Sequence, residues 1–523
     1  MEMKLRLIGN FARSASFEVE SPEIYEQETP FTVTLNGEKI LETKKNIFSL
    51  YHLTPDTSYT VTAGGGEPFS FRTKKESVFL DVTRFGALGD GIQDSTAFLQ
   101  AALSACPSDG TVYIPSGTYR TGPLFPKSHQ TIYLERGAVL LGKTERSAYP
   151  VFPGITPGSE GGAEWFLGTW EGNPLDCFAS LLSLIGITDT DITGEGTIDG
   201  SAEKGDWWEN PKKKRIAWRP NLVFLSRCER IRFQGLTIQN SPSWTVHPCY
   251  SKDLLFADLT IQNPPDSPNT DGFDPESCKN VQLLGTRISV GDDCVAIKSG
   301  KYYMAAFHQM PCTNITIRNC LFERGHGSVT IGSEIAGGVS GVYVRRCLFV
   351  GTDRGVRIKT RRGRGKRSIL TDLVFEDIIM RDVSMPFTLN MFYFCDPDGH
   401  TQYVQNPAAL PVDDRTPKIG TVFLRNITCD GISAVVLAAA GLPESPIGEI
   451  RMEHVLARFL PAGQRVPRIP LMRDNCPEMS GRGILVENAD RMLLRDVEIL
   501  GSGDTGPEVT GVKNIVLDQT RFA

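Results

Sequence analysis

The sequence predicts an all-β chain: a small β-sandwich followed by a long parallel β-helix. Three observations carry this. Short apolar triplets recur through the body at Ile231-Arg232-Phe233, Leu254-Leu255-Phe256, Val281-Gln282-Leu283, Ile315-Thr316-Ile317, Val342-Tyr343-Val344 and Leu373-Val374-Phe375. Their starts are 23, 27, 34, 27 and 31 residues apart, which suits one short strand set per solenoid coil. Glycine (51) and proline (33) are abundant in the 523 residues, favouring turns over long helices.

Residues 1–76 form the expected sandwich. Alternation runs through Ser16-Phe17-Glu18-Val19 and Phe31-Thr32-Val33-Thr34-Leu35, the period of a half-buried strand. In Leu53-Thr54-Pro55-Asp56-Thr57-Ser58-Tyr59-Thr60-Val61, Pro55 opens a turn and Tyr59 enters the next strand. This resembles the tyrosine corner of fibronectin type III modules. The segment holds no acid or metal cluster, so its expected role is positional.

Residues 77–523 form the expected β-helix. Asp94 or Ser95 is placed to cap a helix over Thr96–Ser104. Such a helix would cover the open end of the solenoid core, whose strand edges would otherwise be exposed. A strand starts at Gly110. Later strand copies begin at Val422, Met492 and Ile515. Thr-Ile-x-Asn recurs at Asn240, Asn263 and Asn319, and asparagines stacked at a coil corner would satisfy turn backbone groups along the axis. Cys228, Cys294, Cys320 and Cys347 fall in strand-like runs and read as small buried residues. Leucine-rich repeats compete, but the spacing varies and helical segments are missing.

Asp271 and Asp292 are 21 residues apart, close to one coil, and stacked coils lie about 4.8 Å apart. Two carboxylates that close cannot both ionise cheaply, so one should hold a proton. That supplies an acid for a leaving oxygen and a base for water. Gly291 precedes Asp292 and Asp293 and would let both project outward. The competing reading of such an acid pair is a calcium-binding turn. His326 lies between two glycines, in position to orient the acid. Arg357 and Lys359 flank Ile358 and so share one face, where they suit a carboxylate ligand. Lys298 is expected outward in the frame of the acids, able to meet a second carboxylate. Trp244 and His247 precede Asp271 by about one coil, where an aromatic would stack on a sugar, the competing reading of the Trp being core packing. Asn269 belongs to the Asn269-Thr270-Asp271 motif, Asp274 suits a turn or orienting role with a catalytic one as the alternative, and Tyr393 offers a hydroxyl. Arg354 to Arg367 holds eight basic residues and no acid, either a solvated loop or an anion-binding rim.

Together Asn269-Thr270-Asp271, Gly291-Asp292-Asp293, Gly325-His326-Gly327 and Arg357-Ile358-Lys359 resemble the polygalacturonase family, glycoside hydrolase family 28, over roughly residues 78–520. The resemblance implies a right-handed parallel β-helix of the pectin-lyase-like type and hydrolysis of α-1,4-galacturonosidic bonds with inversion. It implies Asp292 as general acid, Asp271 and Asp293 on the water, and His326 supporting the acid. Arg357 and Lys359 would take galacturonate carboxylates. The front module, Asp274-Pro275-Glu276-Ser277 and Gly325 to Glu334 look more like bacterial exo-acting members, and the stretches Thr144–Glu171 and Asp206–Pro220 are long enough to wall a cleft end.

The expected partner is an anionic pectic chain, with no cofactor or metal. The net charge of -6 argues against a general nucleic-acid surface. No run has membrane-spanning or signal-peptide length, so the expected location is cytoplasmic, or secreted if a signal has been removed. The alternatives are a hydrolase of rhamnogalacturonan or xylogalacturonan, a calcium-dependent pectate lyase, and a binding-only β-helix.

Overall fold

A computed structural model describes residues 3–157 and 164–523. The N-terminal part is a small β-sandwich of two antiparallel sheets. One is built from Lys4–Asn10, Ala15–Glu20 and Ile47–Leu50; the other from Glu38–Lys45, Glu26–Leu35, Ser58–Ala63 and Phe69–Arg72. Phe17, Phe31, Phe48, Phe71, Val33 and Val61 fill the space between them. The Thr54 N–H donates to the Tyr59 hydroxyl at 2.9 Å, which pins the turn that Pro55 opens.

The remainder is a right-handed parallel β-helix with three strand stacks per coil. The first stack runs from Gly110–Ile114 through Lys252–Ala257 and Lys279–Leu284 to the last strand, Glu508–Phe522. The second follows it around a corner, as in Thr260–Gln262 and Arg287–Ser289. The third carries Val246–Cys249, Asp293–Ile297, Gly327–Ile331, Arg354–Lys359 and Met385–Asn390. Inward positions stack like on like: Val295 on Val329, Val329 on Val356 and Val356 on Phe387. All are fully buried, so each coil covers the apolar face of the last.

The helix Thr96–Ala105 closes the N-terminal end, burying Leu99, Ala102 and Leu103. Its first N–H is capped by Asp94, whose Oδ1 accepts from Thr96 at 3.0 Å. Ser95 instead turns its hydroxyl to Leu88. Cys228, Cys294, Cys320 and Cys347 are buried and free, as expected. The corner ladder differs from expectation. It runs through Asp253, Asn280 and Asn314, whose side chains bond at 2.7 and 2.8 Å. Asn240 bonds to Asp199, and Asn319 to Glu18. The ladder residues share a left-handed backbone (φ 56, 58 and 57), a conformation in which Asn and Asp are favoured. Among the described residues no helix is long and apolar enough to cross a membrane.

Candidate active site

Two neighbouring coils of the third stack converge their acids, Asp271 from one and Asp292 and Asp293 from the next. The Thr245 N–H donates to the Asp271 carbonyl at 2.8 Å, and the Gly272 N–H to the Asp293 carbonyl at 3.0 Å, so Asp271 sits directly between its flanking coils. Asp292 lies in the bend before the strand Asp293–Ile297. Alternation is not yet established there, which lets Asp292 and Asp293 face one side. Gly291 sits against the Ser267 and Pro264 carbonyls, 2.3 and 2.8 Å from where a Cβ would be. No side chain fits there. Each acid offers one oxygen within 4.8 Å of the others'.

The three acids have different surroundings. Asp293 is buried and receives Arg357 Nη1 at 3.0 Å and Lys359 Nζ at 2.9 Å. Burial raises its pKa, but Lys359 and Arg357 overcome this and hold it well below the usual carboxylate range. Asp271 is pushed up to about 8 by burial and then by the charge of Asp292. Asp292 faces His326, with Nδ1 3.2 Å from Oδ1. Burial raises Asp292, yet the His326 hydrogen bond leaves it below its ordinary value, and Asp292 in turn raises His326. Of the three, Asp271 is the carboxyl whose surroundings favour the protonated form, and Asp292 is not.

The expected substrate-facing side chains divide into two groups. Trp244, Asn269, Lys359 and Tyr393 line the same pocket as the acids. Asn269 Oδ1 accepts from Arg219 at 2.7 Å, and Lys359 Nζ lies 5.4 Å from the Tyr393 ring centroid. His247 is placed elsewhere. It is fully buried between Asn221 Oδ1 (3.0 Å) and Glu276 Oε2 (2.8 Å), so it supports the wall and does not meet a ligand. Lys298 lines the pocket but is no free cation: its Nζ lies 3.2 Å from Glu334, 3.6 Å from Asp274 and 3.9 Å from Asp271. Asp274 is buried with neither carboxylate oxygen hydrogen-bonded. Burial and then Asp271 raise its pKa well above normal, while Lys298 beside it acts in the other direction.

Beyond Lys359 the basic run is mostly neither a solvated loop nor an anion rim; only Lys366 and Arg367, at its end, are exposed. Arg361, Arg362 and Arg364 are buried. They bond to Asp398 at 2.7 Å, Glu444 at 2.6 Å and Asp396 at 2.7 Å. Arg354 donates to the carbonyls of Pro470 and Ile469. Their acids come from loops far along the chain, so no local pattern announced them. Glu171, Lys212, Ser333, Glu334, Cys395 and Asp396 also line the pocket and were missed for the same reason.

Insertions wall the pocket. Trp170 stacks on Trp218 at 4.8 Å and 9°, joining the Thr144–Glu171 and Asp206–Pro220 stretches; residues 158–163 lie outside the described part. Glu171 pairs with Lys212. Lys301 links the first wall to the opposite loop, with Nζ 2.9 Å from Asp396 and its N–H donating to the Gly172 carbonyl at 2.9 Å. Trp207 is fully buried against Tyr149 and Phe178 and serves that wall's own small core.

The profile of "Glycosyl hydrolases family 28" matches residues 139–436, and that of "Rhamnogalacturonase A/epimerase, pectate lyase-like" matches residues 79–143. The chain is 32% identical over 391 residues to a "Probable polygalacturonase" of Vitis vinifera, covering 73% of this chain and 75% of that one. The family 28 exopolygalacturonase of Yersinia enterocolitica superposes with a TM-score of 0.70 over 100% of both chains at 18% identity. A hyperthermoactive exopolygalacturonase of Thermotoga maritima gives 0.61 over 85% of this chain and 92% of that one at 23% identity. At these identities the two structures show the fold.

Proposed function

This chain belongs to glycosyl hydrolases family 28, and on that premise we propose that it hydrolyses α-1,4-galacturonosidic bonds in polygalacturonate or its oligomers, from a chain end. The observation that carries the chemistry is the convergence of Asp271, Asp292 and Asp293 from adjacent coils, where burial and the neighbouring charge favour a proton on Asp271. Asp292 donates to the leaving oxygen. Its proton is delivered with substrate, since an anionic sugar beside it disfavours the charged form and His326 stands next to it as a reservoir. Asp293, fixed as an anion, and Asp271 seat the water, and the proton the water loses as it attacks passes to this pair of carboxylates.

Water as nucleophile gives inversion. Covalent retention needs a free carboxylate, whereas Asp293 is paired with two cations and Asp271 holds a proton. The acids lie closer together than the roughly 6.5–9.5 Å of most inverting glycosidases, so the anomer released is a sharp test: proton NMR of early product should show the inverted form.

Arg357 and Lys359 serve twice. Each spends one donor on Asp293 and keeps others for a sugar carboxylate, a guanidinium having five N–H and an ammonium three. Their position over Asp293 also disfavours the calcium-dependent lyase, because a cation there would have to displace two others. Exo action is supported by the Trp170–Trp218 wall and its Lys301 link, and by the two exo-acting structural neighbours. Digestion of defined oligogalacturonides tests it: one or two sugars leave from one end, and a ladder of sizes refutes it. The same digests with rhamnogalacturonan and xylogalacturonan separate the alternative substrates. We further read residues 1–76 as a fibronectin type III-like module, on the Tyr59 corner, and 77–523 as the catalytic unit.

A further inference from the structure

A second cluster of ligand-type side chains joins the N-terminal sandwich to the β-helix, at a corner away from the third stack. Leu134 pairs with Gly194 in the parallel ladder, so Glu135 and Glu195 occupy equivalent corners of neighbouring coils. His52, from a sandwich loop, faces both. Its Nε2 lies 3.6 Å from Glu135 Oε1 and 3.6 Å from Glu195 Oε2, and the three ligand atoms lie within 4.8 Å of one another. Zinc bonds to nitrogen and oxygen are about 2.0–2.2 Å, which puts tetrahedral neighbours roughly 3.3–3.6 Å apart.

The outer contacts already hold the carboxylates in place. Glu135 Oε2 accepts from the Tyr113 hydroxyl at 3.1 Å and Oε1 from the Arg136 N–H at 2.9 Å. Glu195 Oε1 accepts from the Arg136 guanidinium at 2.5 Å. Glu195 Oε2 is shielded from solvent with no hydrogen-bond partner. The hydroxyl of Tyr133, a side chain 2% exposed, is likewise unpartnered. It lies among the same groups: burial and then the charges of Glu135 and Glu195 push it up.

Two stacked carboxylates with one guanidinium leave a net negative site, a buried orphan oxygen and an imidazole nitrogen, all turned to one point. A protonated His52 would lend charge, but 3.6 Å is beyond a hydrogen bond. One imidazole with two carboxylates suits zinc-class ions better than calcium or magnesium, which take oxygen ligands.

We propose that His52, Glu135 and Glu195 bind a divalent transition-metal ion of the zinc class, which clips the N-terminal sandwich to the β-helix. The test is calorimetric titration of the chelator-treated full chain with zinc chloride at pH 7.5, beside His52→Ala and Glu195→Gln. His52 is 60% exposed, so its loss leaves the core intact. Wild type should take up one zinc ion more than either variant. At zinc about a hundredfold above Kd, its Tm should rise by roughly 2–5 °C more than theirs. Equal stoichiometry and equal Tm shifts in wild type and His52→Ala would overturn the proposal. So would a Tm that rises on acidification in wild type but not in His52→Ala, to the same extent with and without zinc.

Discussion

At the scale of single residues the site is a problem in placing one proton. Asp293 is fixed as an anion, and Asp271 is raised to about 8. The proton that Asp292 takes up with substrate rests in the free protein on Asp271 and is lost as pH rises through that value, so kcat/KM should fall above roughly pH 8; a rate still rising beyond that would contradict the account. Lys359→Ala should act on the other limb. Asp293 is depressed by Lys359, so removing the ammonium raises its pKa, and the low-pH limb of the kcat/KM profile should move to higher pH. KM for oligogalacturonides should rise as well. A change in KM with an unmoved acid limb would show that Lys359 binds substrate only. The motif residues were legible because their chemistry is local to four short segments. His247 was misread, and the pairing of Lys298, though it lines the pocket as expected, was not foreseen, because strand phase gives the face of the sheet but not what lies over it. Both are covered by groups distant in sequence, Asn221 for one and Glu334 for the other.

At the scale of elements, the cleft is shaped by insertions between coils. The Trp170–Trp218 stack and the Lys301–Asp396 pair hold two of them against each other. Trp170→Ala with Lys301→Ala should loosen that wall. Larger oligomers should then appear among early products, while the initial rate on long polygalacturonate holds within a few-fold. An unchanged product pattern would show that the wall does not set the exo mode. The basic run shows why such elements are hard to read from sequence. Eight cations without a local acid look solvent-facing, yet Arg361, Arg362 and Arg364 are buried because Asp396, Asp398 and Glu444 return to them in space. A buried charge needs a partner, and those partners lie 32 to 82 residues away.

Across the whole molecule the solenoid was the most legible feature, since its period is written in repeated apolar triplets and its cap in one short amphipathic helix. The docking of the sandwich was not. It rests on side chains meeting across some 300 residues. Glu18 accepts from Arg318 at 2.7 and 2.8 Å and from Asn319 at 2.9 Å, and also pairs with Arg6. Ile47 packs on Leu255, Ala257 and Leu284. Glu18→Gln leaves Arg318 with a weaker acceptor and should destabilise the docked arrangement by about 3 kcal/mol, within the range for breaking a buried pair. Glu18 is held below its ordinary value: burial raises it, and Arg318 and Arg6 outweigh that. The stabilisation is therefore fully present above about pH 4.3 and lost as pH falls through the folded value. The difference in Tm between wild type and Glu18→Gln should shrink in that acid range; a difference independent of pH would assign the effect to packing.

The division of labour among the three acids is tested most directly by comparing Asp292→Asn and Asp271→Asn on two substrates, oligogalacturonides and an aryl galacturonide with a good leaving group. Loss of a general acid costs about 10²–10⁴-fold when the leaving group needs a proton, and far less when it does not. Asp292→Asn should therefore lose turnover on oligogalacturonides and regain most of it on the aryl substrate, while Asp271→Asn stays slow on both. Recovery by Asp271→Asn instead, or full activity of Asp292→Asn on oligogalacturonides, would contradict the assignment.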